Sequence, residues 1–148
     1  RGHGRSVASL WIATPWSSRD STKTLEGRDL MPEIIDSPAQ IPVPGGKTIE
    51  EFVGRASSGD TGVSVAHMVA PAGWDEPFQA PTFDEFTVVL EGELLVDHGD
   101  ETSAVVAGQA IITRAGERIR YRTASGARYV AVCLPAFAPE DAHRDESS

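Results

Sequence analysis

The chain has 148 residues, 40% of them hydrophobic, with a formal net charge of −9 and a pI near 4.8. That length suits one domain around one core; the acidic balance offers no general basic surface to a phosphate backbone, and no apolar run is long enough to span a bilayer, so neither nucleic acid nor membrane is expected as a partner. The lone cysteine, Cys133, excludes an internal disulfide and a cysteine-rich zinc site, which fits a reducing, cytoplasmic setting.

Residues 1–30 mix Arg1, Arg5, Arg19 and Arg28 with serines and threonines around one short apolar stretch, 7–13, a poor match to a signal-peptide centre. Met31-Pro32-Glu33 reads as a native start, so 1–30 is expected to be an added leader or an upstream extension, flexible unless it packs on a neighbour. Residues 31–148 then hold 8 Lys/Arg against 19 Asp/Glu, which favours cationic or neutral ligands at long range, although an arginine can reverse the field inside a pocket. Ile34, Ile35, Ile41 and Val43 follow among prolines that bar them from a central strand. They need a cover, and a two-fold homodimer with 33–45 lying across the partner or the shared edge is expected to supply one. Pro44-Gly45-Gly46-Lys47-Thr48 contains Gly-Lys-Thr but lacks the preceding strand and the spaced first glycine of a phosphate loop.

The one stretch with any helical period is 48–53; from there to about 135, short strands alternate with turns. Val63, Val65, His67 and Val69 alternate with Ser64, Ala66, Met68 and Ala70 until Pro71-Ala72-Gly73 ends the run. Residues 86–90 are β-branched and aromatic-rich, Glu91-Gly92-Glu93 reads as a turn, and 94–97 as the returning strand of a hairpin. After a turn at 98–101, strands are expected at 103–106, 109–113, 117–123 and 128–134, separated by Ala107-Gly108, Ala115-Gly116 and Ala124-Ser125-Gly126. Such spacing predicts an all-β sandwich or closed barrel, which also removes exposed edges. The tail, 138–146, is polar and is expected to wrap the outside or fray.

The order of glycines resembles the two motifs of the cupin superfamily, single-domain jelly-roll β-barrels. Gly73, Glu85 and Gly92 fall where the first motif has its glycines and glutamate, with Gln79 and Pro81 at its two histidine positions; Gly108 and Gly116 match the second, where Arg114, Ile119 and Thr123 replace proline, histidine and asparagine. The stretches 83–92 and 127–135 look most like the ethanolamine-utilisation EutQ-type cupins, which also have a reduced histidine set and some of which are linked to acyl-phosphate chemistry. The resemblance implies a cupin domain over 31–148, with its barrel over about 49–135. Of the four metal ligands that a cupin usually supplies, only Glu85 survives, so no metal cofactor is expected.

If Glu85 and Ile119 point inward as the motifs imply, alternation brings Thr87, Val89 and Glu91 in on one strand and Tyr121 and Thr123 on another, turning Arg118, Arg120 and Arg122 outward. A carboxyl in an apolar barrel is a candidate general acid or base, and a tyrosine a candidate oxyanion donor. The catalytic candidates are therefore Glu85 and Tyr121, joined by His67 if its ring points inward. Gln79, Thr87 and Ile119 are candidate wall residues, Trp74 and Phe78 stand at the entrance or cap the core, and Arg114 is placed to reach a carboxylate ligand. Cys133 reads as a packed core thiol. Three functions stay open: a metal-independent isomerase, lyase or cyclase with a small-molecule pocket; a non-catalytic binding or assembly module; and a divalent-metal enzyme using His67 and Glu85.

Overall fold

The computed structural model describes residues 31–146, and the expectations for 1–30 lie outside them. Eight strands run in chain order: β1 (Ala39–Gln40), β2 (Thr48–Val53), β3 (Ser64–Ala70), β4 (Asp84–His98), β5 (Glu101–Val106), β6 (Ala110–Thr113), β7 (Ile119–Arg122) and β8 (Ala127–Leu134). Every pairing is antiparallel, in the order β1-β2-β3-β8-β4-β5, with β6 and β7 also on β4. Among the described residues the helical content is one 3-10 turn, Pro139–Asp141, and no helix is long and apolar enough to cross a membrane. The architecture is the expected all-β jelly roll. Residues 48–53, read as weakly helical, are instead a strand whose Ile49 and Glu51 are buried. Two such residues spaced by two fit a pleat at least as well as a helix.

The predicted hairpin at 86–97 is absent. Residues 84–98 form one 15-residue strand, in which Glu91-Gly92-Glu93 runs on as strand just past a bulge at Leu90 rather than turning. Its first half pairs with β8 and β6, its second with β5 and β7, and the register with β8 shifts between Val89 and Glu91. A bulge changes which parity of residue faces inward. Glu85, Thr87 and Val89 are buried before it, Leu94 and Val96 after it, and Glu91, expected inside, is exposed and bonded to Arg128 at 2.8 Å. Gly92 has φ +75°, and a Cβ there would lie 2.1 Å from the Gly126 carbonyl oxygen, so the sequence feature that suggests a turn serves a close backbone crossing.

The core has two parts. Val89, Leu94, Val96, Val105 and Ile119 pack one end of the barrel, with Trp74, Tyr121 and Tyr129 above them. Phe83, Cys133, Ala142 and Phe137 close the other, where the Phe83 and Phe137 rings meet edge to face at 5.8 Å. Between them the inward side chains of β3 and β8 are small: Ser64, Ala66, Ala131 and Cys133. They leave the room that the candidate site occupies.

Candidate functional site

A cavity of about 50 Å³ opens among these small residues, bordered by both parts of the core and by Lys47, Glu76, Glu85, Tyr121, Tyr129 and Arg144. Such a space suits a few waters or a ligand of few atoms. Glu85 enters from β4, buried, and makes no ion pair among the described residues. Tyr121 comes from β7, and its hydroxyl shares a 2.9 Å hydrogen bond with Thr113 Oγ1. Gln79 lies on an extended segment whose backbone exchanges two 2.8 Å hydrogen bonds with Ile119. Its amide donates to Glu76 Oε1 at 3.2 Å and accepts from Arg144 Nε at 3.3 Å. Lys47 Nζ sits 4.2 Å from the centre of the Trp74 ring and 5.3 Å from that of Tyr129.

Burial, and then the charge of Glu76, push the Glu85 pKa up to about 7; Lys47, the Tyr121 hydroxyl and Arg144 pull less strongly the other way. Burial also raises Glu76 and lowers Lys47, whose ammonium is partly restored by Glu76 and Glu85. The phenols of Tyr121 and Tyr129 are pushed far up by burial, Tyr121 next by Glu85 and Tyr129 next by Glu76. Both are hydrogen-bond donors at neutral pH, and the buried Tyr129 hydroxyl has no partner among the described residues. Burial and Glu85 push up the Cys133 thiol, so it lines the cavity as an inert wall.

Several candidates stand elsewhere. His67 is outward, its Nδ1 3.7 Å from Glu50, because Ser64, Ala66 and Met68 take the inward positions of β3. The valine face of that strand, which looks like the core side in sequence, is its outer face. Arg114 is exposed, bonded to Asp84 at 3.2 Å and set over the Phe86 ring, and does not reach the cavity. Phe78 is half-buried outside it, between the guanidiniums of Arg118 and Arg120 at 4.2 and 4.8 Å. Ile119 and Thr87 are buried but do not line the cavity; Trp74 is buried beneath Lys47. The outward arginines pair with carboxylates as expected: Arg120 and Arg122 with Asp97, and Arg118 with Asp145.

Sequence reasoning missed Lys47, Glu76, Tyr129 and Arg144. Lys47 follows a turn in which Gly45 and Gly46 both have positive φ, and a Cβ on Gly45 would press on Trp74 at 3.3 Å. The Gly-Gly pair, discounted as a phosphate loop, was the available signal. Arg144 arrives because the tail docks: Thr82, Ala80 and Asp145 N–H groups bond across it at 3.0, 3.3 and 2.8 Å, with Ala138 and Ala142 buried. Two alanines in a polar tail give little warning of that.

A cupin metal would lie among positions 79, 81, 85 and 119. Here these offer an amide engaged at both ends, a proline, one carboxylate and an alkyl chain, with Lys47 and Arg144 beside them. That donor set does not fit a divalent cation. His67 cannot complete it, since it and Glu85 face opposite sides of their strands.

The all-β barrel and the surviving motif glycines give the chain the jelly-roll fold of the RmlC-like cupins. An RmlC-like cupin from Shewanella frigidimarina is similar over 74% of this chain and 92% of its own (TM-score 0.60, 15% identity), and ectoine synthase from P. lautus over 71% and 75% (TM-score 0.59, 20% identity). Within the fold the chain is EutQ-like. The structure of ethanolamine utilization protein EutQ from Salmonella typhimurium is similar over 62% of this chain and 71% of its own (TM-score 0.51, 29% identity). In sequence, the chain is 38% identical over 65 residues to acetate kinase EutQ of Salmonella typhimurium, covering 43% of this chain and 28% of that protein. It is 46% identical over 107 residues to endoribonuclease YbeY of Myxococcus xanthus, covering 71% of this chain and 36% of that protein. The chain thus spans about a third of the length of the curated relatives it matches. No family model matches it.

Proposed function

We propose that the chain is a small-molecule cupin that performs proton-transfer chemistry without a metal, an isomerisation, dehydration or cyclisation of a short carboxylate. The carrying observation is Glu85, a buried carboxyl that faces the cavity with no ion pair among the described residues to fix its charge. A group titrating near 7 can take a proton from one ligand atom and return it to another at neutral pH. Tyr121, protonated and adjacent, donates toward oxyanion character developing on the ligand. Arg144 gives a carboxylate its counter-charge, and the small volume limits it to a few heavy atoms. Acetate, in the name of the EutQ relative, is a carboxylate of that size. The ribonuclease in the name of the Myxococcus relative is a less suitable guide, because the domain is acidic and Arg114, Arg118, Arg120, Arg122 and Arg128 are already paired with carboxylates.

The test is proton NMR in D2O on short oxo- and hydroxycarboxylates with wild type and Glu85→Gln. Wild type should wash out a carbon-bound proton from at least one of them, and the variant should not. Absence of exchange and of any ligand-induced rise in melting temperature would favour the second reading, a non-catalytic assembly module. That reading draws on the outer face of β3, β8, β4 and β6, where Val69, Val88, Ile112 and Leu134 are exposed, a surface suited to a homodimer.

A further inference from the structure

We infer that Lys47 is a nucleophilic amine that forms an imine with a short 2-oxo acid in the cavity. The inference rests on the small-carboxylate reading above and names the kind of carboxylate. Imine chemistry asks for an amine held out of bulk water, without a carboxylate clamped on it, next to a proton donor and at the mouth of a space that fits a small carbonyl compound. Lys47 meets each condition. It makes no ion pair and no hydrogen bond among the described residues, although Glu76 and Glu85 share its cavity. It lines both that cavity and the adjoining groove formed by Val43, Trp74, Pro77 and Arg144, so its Nζ stands at the junction between interior and entrance.

Two opposing effects act on the amine. The faces of Trp74 and Tyr129 favour the ammonium, by about 0.5–2 kcal/mol in general, whereas burial favours the neutral amine and is the largest influence on Lys47. A lysine placed only to cap an aromatic surface has no need of the rest of the constellation. Glu85 can supply a proton at neutral pH, and Tyr129 presents a buried hydroxyl with no partner among the described residues. Arg144 stands where it can receive the carboxylate next to the carbonyl.

The step balances without an oxidant. The Nζ lone pair of the neutral amine forms a bond to the carbonyl carbon and a proton passes from that nitrogen to the carbonyl oxygen, giving a carbinolamine. Glu85 then protonates that oxygen, the C–O bond breaks, water leaves, and the nitrogen lone pair closes the C=N bond. Water is the only product released.

The chain has two lysines, Lys23 and Lys47, so the site of attachment is unambiguous. Full-length protein incubated with pyruvate and borohydride should gain one reduced adduct by intact mass, mapped to Lys47 by peptide sequencing. The adduct should persist in Lys23→Arg and fall to background in Lys47→Arg. An adduct mapped elsewhere, or one retained in Lys47→Arg, overturns the inference. So does the absence of an adduct where pyruvate still raises the melting temperature, a result that would leave the small-carboxylate reading standing. Neither adduct nor thermal shift overturns both.

Discussion

Strand β4 carries two buried carboxylates, one on each side of its bulge, and their surroundings are opposite. Asp97 faces the outer side of the second half and is held by Arg122 at 2.8 and 3.0 Å, by Arg120 at 2.9 Å and by the Thr102 hydroxyl at 2.6 Å. The Arg122 hydrogen bonds above all, with Thr102 and Arg120 helping, hold it well below the usual carboxylate range. Glu85 faces the interior of the first half and has no such clamp, so burial drives it the other way. A carboxylate whose charge is satisfied serves the fold; one left unpaired in a cavity costs stability and is free to exchange its proton. The bulge is what separates the two, because it changes which side chains face in.

The strongest way to break the comparison is at that bulge. Gly92→Ala places a Cβ 2.1 Å from the Gly126 carbonyl at a φ of +75°, and should cost about 4 kcal/mol in urea melts. A loss under about 1 kcal/mol would mean that the crossing of β4 between its partners tolerates rearrangement. Next is the clamped carboxylate. Asp97→Asn removes the charge that two arginines share and should destabilise the fold by about 2–3 kcal/mol at pH 7. The depressed pKa sets the sign: this contribution is present above the ordinary Asp value of 3.8 and is lost as pH falls below it, so the gap between wild type and variant should close in acid. A gap constant from pH 7 to pH 3 would show that the arginines contribute through packing rather than charge.

Much of this was legible in sequence. Turn glycines and alternating residues place β3 and β5–β8 to within a few residues, and the cupin-like spacing puts Glu85 and Tyr121 on the interior. What failed shares one cause: local pattern does not tell which face of a strand is the inside. The alternation on β3 leaves open which way His67 points, and in the structure small residues line the cavity while the face His67 shares with Val65 and Val69 looks out. Glu91-Gly92-Glu93 has the composition of a turn, yet it pairs on with β8 just past the bulge, where Gly126 crosses closely over Gly92. Lys47 and Arg144 are brought to the cavity by segments far from Glu85 in sequence, one before the barrel and one after it, where no periodicity operates.

The unclamped carboxylate carries the central claim, and its proton balance is measurable as stability against pH. The folded-state pKa of about 7 lies above the ordinary Glu value of 4.5, so the contribution of Glu85 is fully present below pH 4.5 and is lost as pH rises through 7. Lys47, Glu76, Arg144, Tyr121 and Cys133 surround the same cavity and remain in Glu85→Gln, so the difference between the two proteins isolates this one group. Urea melts of wild type and Glu85→Gln from pH 4 to pH 8 should coincide in acid and diverge toward neutrality, with the variant more stable by about 3 kcal/mol at pH 8. A variant less stable than wild type at pH 8, or a difference that does not change with pH, would contradict the account and make Glu85 a structural anchor like Asp97.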